Sequence, residues 1–483
     1  MSQNIDLKNF ELATVNPSNK TWSSLDLFCF WANSIQTIAG FALISSLYLI
    51  YNLSSILVLS SSIAASILVY FFVNLIGQPS QKHGLPFPVM MRMSMGLSGA
   101  KYLSLLRSIV GIFMFGIQTY FISKSITYLI RIFIYYLVDP QILENEFFLA
   151  FFLGLNIIDW GSLMITFIIQ YLLFTNGQRF NQGFLKFSAM FVYFGLITFF
   201  IMLVSENSNQ IFQSLKSNTN ATEFISKSNL MPFFIVTGTI FSYFSIVLLN
   251  FGDFSRYVKS NKELKLGNLF LLLNMILFSF LATTIVIGVD VILNKKLIVV
   301  DQIITKPMDI IGKIDNAYLT VYTLIFIIFS SISTNLITNY VPTQNSIINF
   351  SPKNLDLKST GMTILFLGIV TGGLWPSILS QLDIIKLIDS LAAFFGPIFG
   401  VIIADYYYVK NKKVNHKDLF FLREENEYLY KNGFNNKALY SVIIGFIFSF
   451  SMLWNVDLSD IKSFSWIVGF VVSFLIYYLL NKK

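Results

Sequence analysis

The sequence predicts an all-α integral membrane protein with about twelve transmembrane helices. Three observations carry this. Charged side chains make up 12% of 483 residues, against roughly 25% in an ordinary soluble domain. Hydrophobic residues make up 55% and fall in runs of the roughly 20 residues that cross a bilayer core of about 30 Å. Basic residues concentrate on alternate connections between those runs. Half the charge needed to coat a soluble surface is missing. This excludes a cytosolic enzyme, a nucleic-acid-binding protein and a disordered chain. The net charge of +8 needs a membrane explanation, because no stretch is basic enough to be a nucleic-acid footprint.

Residues 1–23 hold Asp6, Lys8, Glu11 and Lys20 and read as a short solvent-exposed tail, with no secretory signal. Residues 24–483 read as one transmembrane domain. Its spans lie near 24–50, 53–77, 102–128, 147–174, 187–205, 231–252, 267–292, 317–342, 360–378, 382–408, 438–454 and 463–480. The fourth is weak at its start, where Asp159 marks the alternative beginning. With the N-terminus placed in the cytoplasm, 22 Lys and Arg residues fall on inside connections and 9 on outside ones. Both termini are therefore expected in the cytoplasm and the number of spans even. The expected location is the plasma membrane.

Two spans look broken. In span 1 the stretch from Trp31 to Thr37 interrupts the apolar run with small and amide residues, and in span 6 Thr237-Gly238-Thr239 precedes Ser242. Freed backbone at membrane depth is tolerated only where it lines a cavity. Interruptions at matching positions of two halves indicate an inverted-repeat transporter. The repeats would be about 24–205 and 231–408, followed by extra helices at about 438–480.

Span 8 carries the densest polar pattern. Ser330, Ser333 and Thr334 share one helical face, and Asn335 and Asn339 stand one turn apart on an adjacent face. Neutral oxygens of this kind suit a hard monovalent cation such as Na⁺. They also serve as hydrogen-bonding contacts between helices. Gln36 on span 1 and Gln118 on span 3 each offer two donors and an acceptor, which suits a planar imide, amide or urea, or a bond to another helix. Asp253 and Arg256, where span 6 reaches the cytoplasm, read as a loop ion pair or as snorkelling groups. No carboxylate lies at a span centre, which favours Na⁺ over H⁺ coupling. The single Cys, Cys29, excludes an internal disulfide. His83 and His416, far apart in sequence, give no zinc site and no nucleophile–base pair. An enzyme is not expected, and no cofactor beyond a coupling ion.

Several segments together resemble the nucleobase:cation symporter 1 family of hydantoin, allantoin, uracil and cytosine permeases, over about residues 15–440. They are Asn16-Pro17 and Trp22-Ser23; Gly84-Leu85-Pro86-Phe87-Pro88-Val89; Arg92-Met93-Ser94-Met95-Gly96 with Gly99-Ala100; and Phe115-Gly116-Ile117-Gln118-Thr119. Further on come Asn250 with Asp253-Phe254-Ser255-Arg256-Tyr257, Ser333-Thr334-Asn335 with Asn339, and Pro397-Ile398-Phe399-Gly400-Val401 with Ala404-Asp405-Tyr406-Tyr407. The resemblance implies a LeuT-like bundle of two inverted five-helix repeats plus two C-terminal helices. It implies a sodium site from the carbonyls of Ala32 and Ile35 with Ser330, Ser333 and Thr334. It places substrate contacts at Gln36, Gln118 and Asn339, with Asn335 close by. Many members hold the substrate ring between two tryptophans; the matching positions here are Met114 and Phe244. Met can cover a ring through its sulfur, and the wider cavity leaves room for a bulkier heterocycle. Position 252 is Gly where many members have Pro.

The function expected is Na⁺-driven import of a small uncharged heterocycle such as uracil or allantoin, by a monomer in the bilayer with no nucleic-acid partner. The alternatives are an H⁺-coupled permease for cytosine, a purine or a vitamin-like ring (thiamine, pyridoxine), and a non-transporting receptor of the same fold.

Overall fold

A computed structural model describes residues 5–49, 54–217, 227–295, 317–381, 384–422 and 425–482. Lys296, Lys306, Lys313, Arg423 and Lys483 of the charge count lie outside the described residues, as do residues 1–4 of the tail. The principal helices are α1 Ser24–Ile35, α2 Ile38–Leu49, α3 Ser55–His83, α4 Phe87–Met95, α5 Leu97–Leu137, α6 Ile157–Phe174, α7 Gln178–Ser217, α8 Lys227–Tyr243 and α9 Ser245–Asn250. They continue with α10 Asn261–Lys295, α11 Ala317–Asn335, α12 Val341–Phe350, α13 Leu357–Leu374, α14 Ile384–Ala404, α15 Asn436–Trp454 and α16 Ser465–Asn481. Among the described residues nine helices are long and apolar enough to cross a membrane, or ten when the bent pair Leu230–Tyr243 and Ser245–Ser255 counts as one span. The other two expected spans are helical as well: span 1 as two pieces of 12 residues, and span 10 as α14.

Hydropathy marks the membrane-embedded part of each helix, not its ends. Span 3 is expected at 102–128, yet α5 runs for 41 residues, a length of about 60 Å. Lys101 and Arg131, just outside the expected span, lie within the same unbroken helix and are half-buried. Asp159 does mark the start of α6. It closes a capping box with Asn156 and pairs with Lys124 at 3.0 Å. That box satisfies first-turn N–H groups a helix cannot bond internally.

Proline inside a helix frees the carbonyl four residues before it, because it has no N–H to donate, and at two of the prolines the freed carbonyl is taken up by a distant side chain. Pro79 frees the Leu75 carbonyl, which accepts the Tyr407 hydroxyl at 2.9 Å. Pro342 frees that of Thr338, which accepts Arg107 Nη2 at 3.1 Å. A π-turn at Leu336–Tyr340 joins α11 to α12 at this point. Span 8 thus reaches Phe350, eight residues past its expected end.

Four expectations need correction. The break in span 6 is not at Thr237-Gly238-Thr239 but at Phe244, where the helix bends by 41°. Gly238 stays helical and serves packing: a Cβ there would lie 2.4 Å from Ser463 Oγ. The N-terminal segment is not a solvent-exposed tail. Ile5–Asp6 pairs antiparallel with Phe421–Leu422, Leu12 and Trp22 are fully buried, and Asn9 Nδ2 donates to the carbonyls of Pro352 and Leu355. Asp253 and Arg256 neither snorkel nor pair directly. Both are buried; Asp253 Oδ1 accepts Phe87 N–H at 3.2 Å and Asn345 Nδ2 at 2.9 Å, and Arg256 Nη1 donates to the Glu11 carbonyl at 2.8 Å. The two histidines are adjacent in space. His83 Nδ1 stands 3.3 Å from His416 Nε2, and His83 Nε2 stands 3.2 Å from the Tyr406 hydroxyl. Even so, no group of three or more His, Cys, Asp or Glu able to hold a metal occurs among the described residues.

Candidate substrate and cation site

The break in span 1 builds one half of the site. After Ile35 the backbone turns out of the helix at Gln36 (φ −80°, ψ 66°). The Thr37 hydroxyl then caps α2 by accepting Gly40 N–H at 2.7 Å. Gly40 is required here, because a Cβ would lie 2.7 Å from the Ile35 carbonyl oxygen. The same Thr37 hydroxyl is 2.6 Å from the Tyr243 hydroxyl, the last residue of α8. The two broken spans therefore touch at their breaks.

Span 8 faces this break with its hydroxyl side. The Ser330 hydroxyl donates to the Gln36 carbonyl. The Thr334 hydroxyl lies 2.7 Å from the Asn33 carbonyl and 2.9 Å from that of Ser330. The Ser333 hydroxyl lies 2.6 Å from Asn33 Oδ1 and accepts the Ser188 hydroxyl of α7 at 2.9 Å. The span 1 carbonyls met directly are thus those of Asn33 and Gln36, neighbours in sequence of Ala32 and Ile35. The carbonyls of Ala32 and Ile35 accept the backbone N–H groups of Gln36 and Thr37. Each keeps a second lone pair. The seam is built from neutral oxygens, which is the donor set a hard monovalent cation accepts.

The adjacent face of span 8 turns to α5. Asn339 Nδ2 donates to Asn335 Oδ1 at 2.8 Å and reaches Gln118 Oε1 at 3.4 Å. Asn335 Nδ2 reaches the Phe115 carbonyl at 3.2 Å, Thr119 Oγ1 at 3.1 Å and Gln170 Oε1 at 3.4 Å. A ladder of amides thus joins α5, α6 and span 8. Gln118 and Met114, one turn apart on α5, are both half-buried. Phe244 sits at the span 6 break, buried and edge-on to Tyr243.

Three contributors were missed in the sequence. Gln170 interrupts an apolar run as Gln36 and Gln118 do, so its signal was present. Thr119 had no comparable signal, since single Thr residues are common between membrane helices, and Asn33 is marked in the sequence only as part of the span 1 break, not as a ligand of span 8.

Gln36 is the most informative residue. It is 3% exposed; neither its Nε2 nor its Oε1 makes a hydrogen bond of normal length, and the Tyr193 hydroxyl is a polar group beside it. Each such group costs about 1–3 kcal/mol. The side chain borders a cavity of about 50 Å³ shared with Thr37, Ser330 and Ser331. Gln170 Nε2 is likewise buried without a partner. Span 1 and span 8 thus bring buried amides and neutral hydroxyl and carbonyl oxygens together, with Gln36 on one side of the seam and the Gln118–Asn339–Asn335 ladder on the adjacent face of span 8.

Comparison with known proteins gives the same direction. The family described as permeases for cytosine/purines, uracil, thiamine and allantoin matches residues 14–478. The chain is 26% identical over 480 residues to the allantoin permease of Bacillus subtilis (strain 168), covering 99% of this chain and 93% of that one. It is 25% identical over 450 residues to the purine-uracil permease NCS1 of Arabidopsis thaliana, covering 91% and 70%. Among solved structures it resembles Mhp1, a nucleobase-cation-symport-1 family transporter, closed with bromovinylhydantoin bound. The TM-score is 0.74 at 16% identity, with coverage of 98% and 95%. A Na⁺-coupled sialic acid symporter in a substrate-bound outward-open state gives a TM-score of 0.63 at 11% identity, with coverage of 96% and 91%. The architecture is that of the LeuT-like membrane transporters.

Proposed function

Because the chain belongs to the family of permeases for cytosine and purines, uracil, thiamine and allantoin, we propose that it is a Na⁺-coupled symporter importing an uncharged nucleobase-like or allantoin-like heterocycle. The observation that carries this reading is the Gln118–Asn339–Asn335 amide ladder on one face of span 8, with the span 1 break held against the hydroxyl face of the same span through Ser330 and the Gln36 carbonyl. A heterocycle with N–H and C=O side by side satisfies such amides, and an ionic substrate does not. Met114 and Phe244 cover the two faces of the ring in this reading. Ala32, Ile35, Ser330, Ser333 and Thr334 hold the cation. The protein works as a monomer in the plasma membrane, with both termini cytoplasmic and repeats at about 24–205 and 231–408.

Coupling follows from the seam. A cation ordering span 1 against span 8 fixes the break that presents Gln36, so cation and substrate raise each other's affinity by one common factor. Alternating access then exposes the midplane site to each side in turn. A buried carboxylate favours a second reading. Asp253 Oδ2 has no hydrogen-bond partner, which makes proton coupling through Asp253 the alternative.

The test is substrate binding to the purified protein in Na⁺ and in choline. Thr334→Ala is expected to weaken Na⁺ and substrate binding together, by roughly 10-fold or more for a lost oxygen ligand in a coupled pair, within the range typical of linked sites. Substrate affinity identical with and without Na⁺ in the wild type sinks sodium coupling. A binding affinity that instead follows pH, and is lost in Asp253→Asn, transfers the coupling to protons. Counterflow of labelled substrate in liposomes separates a transporter from a receptor.

A further inference from the structure

The face of the bundle that carries both described termini holds a cavity of about 770 Å³, far larger than the space beside Gln36. It lies between the end of α14, the connection into α15, and the end of α16. Lys410, Lys413, Lys431 and Lys437 line it, against only two carboxylates, Asp405 and Glu427.

These groups are not equivalent. Lys410 is fully engaged. Its Nζ is 3.9 Å from Asp405 Oδ2 and 3.6 Å from Glu427 Oε1. It also donates to the Tyr430 hydroxyl at 2.8 Å and lies over the Tyr428 ring at 4.6 Å. Asp405 is fully buried and accepts the Tyr477 hydroxyl at 2.7 Å. Both acids thus share Lys410, and Asp405 Oδ2 has no hydrogen bond of its own. Lys437 donates to the Leu480 carbonyl at 2.7 Å, tying the start of α15 to the end of α16. Lys413 and Lys431 are exposed and leave the cavity with an excess of positive charge. The first turn of α15 contains no acidic residue, so its N-terminal N–H groups add to that positive field.

The flank of this cavity is apolar. Tyr408 is 56% exposed, Tyr440 61% and Leu479 62%. A site for a soluble anion would have a polar surround. A basic recess beside exposed aromatic and aliphatic side chains, at the level where Tyr and Lys mark the membrane interface, fits a lipid whose headgroup and chains need both. We propose that this cavity binds the phosphodiester headgroup of an anionic phospholipid from the leaflet on that face. Lys413 and Lys431 hold the phosphate, and the acyl chains lie against α15 and α16. One wall is the π-turn Asp405–Val409 that ends span 10, so occupancy pins that end of span 10 to the two C-terminal helices.

The test uses the full chain, purified in detergent, and its thermal unfolding. The probes are phosphatidylglycerol, phosphatidylcholine with the same acyl chains, and inorganic phosphate at matched ionic strength. A ligand that binds only the folded state raises the melting temperature by mass action. Phosphatidylglycerol is expected to raise it, and the other two are not. The shift should vanish in a Lys413→Ala/Lys431→Ala double variant. It should persist in Lys353→Ala/Lys358→Ala, which removes two exposed lysines from a different connection. Both variants change exposed side chains only, so folding is not at stake. An equal shift with phosphatidylcholine, an equal shift with inorganic phosphate, or an undiminished shift in the Lys413/Lys431 variant each overturns the proposal. None of these outcomes depends on which heterocycle is transported.

Discussion

At the scale of single residues, Gln36 is one of several buried polar side chains without a hydrogen bond of normal length. Most buried polar side chains here have a local answer. Ser34, Ser62, Thr166 and Thr323 donate to the carbonyl four residues back. Gln36 has no such carbonyl and no hydrogen bond of normal length at either end of its amide, with the Tyr193 hydroxyl beside it. A group that destabilises the empty protein while serving the ligand gives a signed prediction. Gln36→Leu, which keeps the volume and removes both ends of the amide, should raise stability by about 1–3 kcal/mol and weaken substrate binding by roughly 10-fold or more, the effect of losing one hydrogen bond to a buried polar partner. Thermal unfolding and calorimetric titration read the two effects separately. A variant that melts lower and binds substrate unchanged removes Gln36 from the site. The mutual bonding of Gln118, Asn335 and Asn339 was legible in the sequence because an amide inside an apolar run is costly and therefore conspicuous. Asn33 was not. It lies among other polar residues at the break, and only the fold shows its carbonyl meeting Thr334.

At the scale of elements, the two broken spans were legible to different degrees. Span 1 advertises its break with Asn33, Ser34, Gln36 and Thr37 in sequence, and the helix does end at Ile35. Span 6 misleads, because a glycine among threonines has two explanations. At Gly238 the explanation is close packing on Ser463, while the real bend at Phe244 carries no breaker at all. Proline was informative and undervalued: Pro342 marks the π-turn, and Pro79 marks the carbonyl that Tyr407 claims. The N-terminal segment shows the opposite failure. Its polarity suggests solvent, yet Trp22 is buried, because short polar stretches also cap and seal a bundle. The span 1 break can be tested directly. Gly40→Ala places a Cβ 2.7 Å from a backbone oxygen that cannot rotate away. It should cost about 1–3 kcal/mol of stability, as overpacking does, and weaken substrate binding, since α2 must shift. Gly161→Ala on α6, where a Cβ meets nothing within 4 Å, should be neutral or stabilising by up to about 1 kcal/mol. Equal melting temperatures for the two variants contradict the role given to Gly40.

At the scale of the whole molecule, scarce charge is concentrated where it sets orientation. Of the 33 basic residues, 22 fall on one side in the alternating assignment and 9 on the other. The connection between spans 10 and 11 alone holds Lys410, Lys412, Lys413, Lys417, Arg423, Lys431 and Lys437. That same connection walls the large basic cavity, pairs with the N-terminal strand and brings His416 to His83. The face with the termini is thus also the most basic face, and the positive-inside rule assigns it to the cytoplasm. The single cysteine makes this testable, because Cys29→Ser yields a background without thiols. In that background Glu144→Cys, exposed between α5 and α6, and Lys412→Cys, exposed after span 10, lie at opposite ends of α5, whose start bonds to the span 10–11 connection and whose far end leads to Glu144. A membrane-impermeant maleimide added to intact cells should label position 144 and not 412. Permeabilisation should then make 412 reactive. The reverse pattern would invert the whole molecule. The basic cavity would then face the outer leaflet, and the charge bias would run against the rule that places both termini in the cytoplasm. Labelling at both positions in intact cells would mean that the two connections share a side, and the even-numbered topology itself would fail.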